Sequence, residues 1–498
     1  MLRRILAGIL IFLVLVSVSS SVLVGRAGNV SVNARSSLNV ESLAESTPAN
    51  VTSLIVVVFV NSSVFQGVKS SVEQYESDLK DFGYEDVVVL NWSDPDPAHI
   101  RKTLSDFYIN SSLAGALLVG DIPAADFEMM TEWDYERFPM DLYYMDLDGN
   151  WTDSDNDGVF DQHLGKKIAP EIWVGRIKTS GLGEDEVSLI NSYFDKNHRY
   201  RRGLLSAPKR ALLYIDDDWE NYASMDSYSL GLLYENVTQV TDKAETNAED
   251  YKARINQGYE WVHLRAHGDW DYTTFEMPNG TVSNLLSQDY VQINPSALFY
   301  QLFVCKAARF TKPQYQAGEL VFRTDSALLA ISSTKIGGML MYWTFYEALA
   351  KGRTIGDAFK KWFVEWGEGK VLLQNIFVGK KWFYGLAIIG DPTLRLNWLD
   401  EAQVAELQKY EEQVIHELPL VQQLWEQVES TNSTLSSLQS EYAGLQDSYS
   451  TLQTDNVYIA SDLWTSRTVL YFFIITTVLL AAAYAHISIT RPKPADEL

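Results

Sequence analysis

One cysteine in 498 residues, Cys305, excludes any intrachain disulfide. Positive charge is also scarce. Forty Lys and Arg stand against 65 Asp and Glu, giving a formal net charge of -25. With no basic stripe visible, this excludes a protein that works by gripping phosphate backbones. Charged Asp, Glu, Lys and Arg are missing altogether from Val469 to Ile487, an apolar run long enough to span a bilayer. Behind it lie Arg491 and Lys493, as the positive-inside tendency expects of a cytoplasmic tail, which places the bulk of the chain outside. At the other end, "MLRR" and the apolar run Ile5 to Val16 read as a secretory signal without a clean small-x-small cleavage site. Extended to Val24, the same run reads as an uncleaved anchor.

The apolar fraction of 46% is ample for real cores. Nine Asn-x-Ser/Thr sequons, from Asn29 to Asn432, agree with export. An exported chain with one cysteine does not rely on disulfides. Composition and periodicity divide the chain into a signal or anchor (1–25), a flexible linker or pro-segment (26–51), an α/β unit (52–202), a second α/β unit (203–398), a coiled-coil stalk (399–467), a transmembrane helix (468–488) and a cytoplasmic tail (489–498). Buried apolar strands such as "LIVVVFV" and "LAGALLVGD" alternate with helical segments in both units, which predicts mostly parallel, covered sheets. In the stalk, apolar positions from Val421 to Leu463 alternate spacings of three and four, with Asn456 at a core position. Such a seam predicts a self-associating rod, and hence a homo-oligomer; the alternative is an amphipathic helix folded back on the globular domain.

Inside the first unit, "DSDNDGVFD" sets Asp153, Asp155 and Asp157 at alternate positions, then Gly158 for a turn, Val159 with its carbonyl and Asp161 at the ninth position. This is the ligand order of a calcium loop, although Leu164 stands where an EF-hand carries its bidentate Glu. A structural Ca2+ is expected here, with Asp146 and Asp148 as further acids nearby; the alternative is a solvated acidic turn.

In the second unit, three strand ends gather chemistry: "RALLYI" runs into Asp216, Asp217 and Asp218, "WVHLRA" into His267, and "ALFYQLFV" into Cys305. A lone thiol is often only a core residue. At the carboxyl rim of a parallel sheet, however, strand ends distant in sequence can meet, and a thiol beside an imidazole is a nucleophile with its base.

With "RAHGDW" and "LFVCKAARF" in this order, flanked by "PEIWVGRI", "LVFRTDSALLAISSTKIGG" and "IIGDPTLRL", the chain resembles the gingipain-like cysteine peptidases, relatives of caspases and legumains. The resemblance covers about residues 170–396. It implies two caspase-like three-layer subdomains and a peptide or protein substrate. Cys305 would be the nucleophile, His267 the base, and the backbone N–H groups of Gly268 and Cys305 the oxyanion site. It also implies an acid that assists the imidazole, taken as Asp217 from among Asp216, Asp217 and Asp218. Asp226 would lie at the bottom of a pocket selecting Arg or Lys. Val304 and Lys306 depart from the small residues that the family usually places around the cysteine. No immunoglobulin-like module follows; the stalk takes its place. The expected function is a membrane-anchored extracellular cysteine endopeptidase. The competing readings are a catalytically silent surface adhesion or scaffold protein on the same fold, and a transpeptidase.

Overall fold

A computed structural model describes residues 54–396, apart from 132–133, 165–168, 341 and 368–383. The signal or anchor, linker, stalk, transmembrane segment and tail lie outside the described residues. Among the described residues, no helix is long and apolar enough to cross a membrane.

Ten strands form one sheet. They are β1 (Ile55–Asn61), β2 (Asp86–Trp92), β3 (Leu113–Val119), β8 (Trp173–Ile177), β9 (Ala211–Ile215), β10 (Val237–Val240), β11 (Trp261–Arg265), β15 (Phe299–Phe303), β16 (Leu329–Ser333) and β17 (Leu386–Gly390). The intervening short strands are β4 (Asp126–Met130), β5 (Tyr135–Pro139), β6 (Asn150–Thr152), β7 (Gln162–Leu164), β12 (His267–Asp269), β13 (Tyr272–Glu276) and β14 (Val282–Leu286). Across the large sheet the order is β10-β9-β11-β15-β16-β17-β8-β3-β1-β2. All neighbours are parallel except β16 and β17, which pair antiparallel from Leu329 opposite Gly390 to Ser333 opposite Leu386.

This corrects the expectation of a sheet for each subdomain. The last strand of the second unit inserts at the centre, antiparallel to β16 and parallel to β8, and fuses the two halves. Alternation along β1 explains the layering. Val57 and Phe59 face one core, with Ile100 and Leu104 of helix Pro97–Asn110 and Phe359 and Trp362 of helix Ile355–Gly367. Val56, Val58 and Val60 face the other, with Val68 and Val72 of helix Phe65–Asp81 and Leu189 and Ile190 of helix Glu186–Arg201. A strand buried on both faces must be apolar at every position, which is why β1 reads as an unbroken run.

Local signals set several helix starts. The Asp96 carboxylate accepts from Ala98 N with Pro97 at the first helical position, and Asp185 accepts from Ser188 N.

Candidate active site

Strands β11 and β15 are neighbours in register, with Arg265 opposite Phe303. One residue further, Ala266 N still donates to Phe303 O at 3.1 Å. Both chains then leave the sheet, one at His267 and the other at Val304-Cys305. The stretch that follows folds as the antiparallel sheet β12-β13-β14 and the short helix Asp289–Ile293. His267 is therefore the first residue of a hairpin and is held on both sides.

Gly268 shows why the hairpin can sit there. A Cβ at this position would lie 2.4 Å from Tyr272 O and 2.6 Å from Val304 Cγ1. Its requirement is close packing of the histidine hairpin on the cysteine strand. Gly268→Ala should destabilise the protein by about 1–3 kcal/mol through this overpacking. It should also lower peptidase activity, because His267 must shift. Denaturant unfolding with parallel kinetics checks both.

The imidazole of His267 has an acid partner, and it is Asp218. Asp218 Oδ2 lies 3.0 Å from His267 Nε2, with the two side chains 64% and 39% exposed. The side chain of Asp217 lies outside the described residues. After β9 the chain enters a 3-10 turn, Asp217–Tyr222. This turn, rather than the strand end itself, selects the carboxylate that faces His267. Trp219 of the same turn packs on the imidazole at 4.3 Å between ring centroids. Asp216 does structural work, being fully buried and accepting from Thr246 Oγ1 at 2.8 Å and from Glu276 N at 2.9 Å.

Cys305 is partly buried, and the N–H of Gly337 donates to its Sγ at 3.5 Å. Burial pushes the thiol pKa above its ordinary value; the Gly337 N–H and the charges of Lys306 and Lys335 pull against this without reversing it. Lys306 adopts a left-handed backbone at φ 57°, and its N–H donates to Lys335 O at 3.0 Å. A lysine in this conformation stores strain and turns the chain sharply just past the thiol. Its ammonium lies 3.3 Å from Asp269 Oδ2. Gly337 belongs to the loop after β16, which is itself tied to the first half: Ile336 N donates to Glu136 Oε2 at 3.0 Å, and Thr334 Oγ1 to Pro139 O at 2.6 Å. Sequence reasoning missed this contribution, for which the Gly337-Gly338 pair is the only signal.

Asp226 is not an open pocket acid. It is fully buried, and Arg265, also fully buried, places Nη2 3.0 Å from its Oδ1 and Nε on its Oδ2. An acid closed by an internal guanidinium is not open to a substrate side chain, which corrects the placing of Asp226 at the bottom of a specificity pocket.

In the acidic loop, two of the expected carboxylates meet a third acid from outside it. Asp155 and Asp157 gather with Glu128 of β4, their carboxylate oxygens within 4.8 Å of one another. Asp153 accepts from the backbone N–H groups of Asn156 and Gly158 at 2.7 and 2.8 Å, and Asp161 from Ser154 N at 3.0 Å. Val159 is buried, its N–H donating to Asp157 Oδ1 at 2.9 Å. Burial and the neighbouring Asp157 charge raise the pKa of Asp155, the behaviour of carboxylates crowded where a cation would relieve them. A second group, Asp146, Asp148 and Glu171, is partly committed already, since Asp146 pairs with His163.

The protein is a cysteine peptidase of α/β architecture, with a thiol and an acid-held imidazole issuing from neighbouring strands. It belongs to peptidase family C25, whose sequence model matches residues 66–397, more than half of the chain. A solved crystal structure of the Arg-specific cysteine proteinase gingipain R is similar at 16% identity and a TM-score of 0.49, over 70% of this chain and 80% of that one. Among curated proteins none matches.

Proposed function

We propose that this chain is an outward-facing, membrane-tethered cysteine endopeptidase in which Cys305 and His267 form the catalytic dyad. The observation that supports this best is the pairing of His267 Nε2 with Asp218 beside a strand whose thiol receives an N–H bond from Gly337. Asp218 on Nε2 leaves Nδ1 as the nitrogen that serves the thiol.

In the reaction, Cys305 Sγ attacks the scissile carbonyl carbon as its proton passes to His267, and the carbonyl oxygen takes up the negative charge. Backbone N–H groups of Gly268 and Cys305 are the proposed donors to that oxyanion. Collapse breaks the C–N bond, and the amine leaves with the proton from His267. Water then attacks the thioester, giving its proton to His267 and releasing a carboxylic acid and the thiol.

The full-length protein should cleave a protein substrate into peptides ending in free carboxylates, with an added amine acceptor leaving the products unchanged. Products joined to the acceptor would mark a transpeptidase instead. Export is supported by the sequons: of the six described sequon asparagines, Asn91, Asn110, Asn150, Asn236 and Asn279 are exposed and Asn61 is half-buried. Anchoring by 468–488 and self-association through the heptad seam rest on the sequence pattern.

A structural Ca2+ belongs to the same reading, with Glu128, Asp155 and Asp157 as its carboxylate ligands, since hard oxygen donors suit that ion. Calcium at a hundredfold excess over its dissociation constant should stabilise the protein by about 2.7 kcal/mol. The expected rise in Tm is several degrees, absent in Asp157→Asn. A melting curve indifferent to both calcium and chelator would remove the metal from this account.

A further inference from the structure

We propose that Glu136 is a positioning residue for the reaction at Cys305: delivered from the first half of the chain, its carboxylate holds the peptide that precedes Gly337 and so keeps the Gly337 N–H aimed at the thiol. The proposal rests on the endopeptidase reading above.

Two consecutive peptide units lead to that N–H, and each is held at both ends. In the first, Lys335 O accepts from Lys306 N at 3.0 Å, and Ile336 N donates to Glu136, 3.0 Å from Oε2 and 3.3 Å from Oε1. In the second, Ile336 O accepts from Lys335 Nζ at 2.7 Å, and Gly337 N donates to Cys305 Sγ at 3.5 Å. Gly337 has φ 114°, a conformation open to glycine, which lets the loop turn this N–H back onto the thiol. Because Lys306 directly follows the cysteine, the thiol's own turn is fixed to the same loop.

Glu136 acts from a firm base. It stands opposite Met129 in the β4-β5 hairpin and is only 7% exposed. Three residues on, Pro139 O accepts from Thr334 Oγ1 at 2.6 Å, at the start of the loop. Arg309, four residues after the thiol, donates from Nη2 to Arg137 O. The hairpin is thus fastened to the chain on both sides of the site. Without an acceptor at Glu136, the Ile336 N–H would have to find another partner, since an unpaired buried donor is costly. That rotation would carry the next N–H away from Cys305.

A carboxylate is a costly way to make this bond. Burial keeps the thiol protonated, and the Gly337 N–H is the strongest pull the other way, followed by the charges of Lys306 and Lys335. The Glu136 charge, the smallest of these influences, favours the protonated form. Position and charge therefore act on Cys305 with opposite signs, which makes them separable.

The test uses full-length protein and two substitutions. Glu136→Asp keeps the charge but withdraws it by a methylene; Glu136→Gln keeps the reach and removes the charge. The midpoint for alkylation of Cys305 by iodoacetamide against pH should rise in Glu136→Asp, as the Gly337 N–H leaves the thiol, and fall in Glu136→Gln. For peptide hydrolysis, kcat/KM should drop about 10-fold in Glu136→Asp, the scale of one hydrogen bond, and by less in Glu136→Gln. A side chain that only braced the fold would lower Tm and leave both midpoints where they are. Unmoved midpoints, a Glu136→Asp midpoint at or below that of wild type, or a Glu136→Gln midpoint above it overturn the proposal while the dyad stands. A wild type that is alkylated at Cys305 but hydrolyses no peptide overturns the endopeptidase reading, and the positioning role with it.

Discussion

Cys305→Ala should lower kcat/KM for peptide hydrolysis by at least about 10⁴-fold, and His267→Ala by a similar factor, because nucleophile and base act as a unit. The double variant should be little worse than either single one. Neither change should cost much stability: Cys305 is only partly buried, and His267 is 39% exposed at its side chain.

The raised thiol pKa sharpens this expectation. Burial, the dominant cause, favours the protonated thiol in the free enzyme, so His267 must take the proton as attack occurs. Alkylation of Cys305 by iodoacetamide should therefore increase with pH, with a midpoint above the ordinary cysteine range. Since the folded state keeps the thiol proton longer than the unfolded chain does, stability from this group is present at low pH and falls as pH rises past the unfolded value. An alkylation rate already saturated near neutral pH would show that a preformed thiolate is present.

The largest effect on stability is expected at Asp391. This residue follows β17, the strand that fuses the two halves of the sheet. Its fully buried carboxylate accepts from Tyr75 Oη at 2.8 Å and Thr393 N at 2.9 Å on one oxygen, and from Asn197 Nδ2 at 2.8 Å and Arg201 Nη2 at 2.6 Å on the other. It thereby ties the end of β17 to helices Phe65–Asp81 and Glu186–Arg201. Asp391→Ala strands the Arg201 charge in a site where its side chain is 1% exposed, together with the donors of Tyr75, Asn197 and Thr393. Removing one partner of a buried ion pair costs about 3–5 kcal/mol. Urea unfolding should show the midpoint moving down with the slope unchanged. Asp106→Ala, which breaks the exposed Lys102–Asp106 pair, serves as the control and should cost no more than about 0.5 kcal/mol. Equal losses in the two variants would mean that Asp391 is not a clasp.

The strands that hold the site were readable because each is a short apolar run ending on a polar side chain, and the sheet places β11 beside β15 as that reading requires. What was not readable came from contacts across the chain. That Asp218 faces His267 depends on a 3-10 turn, and three consecutive aspartates give no periodicity to choose among them. Asp226 and Arg265 meet across two different elements, and an acid in a sequence does not announce that it is already neutralised. Glu128 joins Asp155 and Asp157 from a separate hairpin, so a loop read by spacing alone could not include it. The single sheet was hidden because β17, last in the second unit, pairs with a strand of the first.

The central claim is that Cys305 attacks the scissile carbonyl with His267 as its base. The most direct measurement incubates full-length protein with a peptidyl acyloxymethyl ketone and maps the adduct by mass spectrometry. One adduct per chain is expected, on Cys305, formed in wild type and strongly slowed in His267→Ala. Labelling elsewhere, or undiminished labelling of a His267→Ala protein, would contradict it.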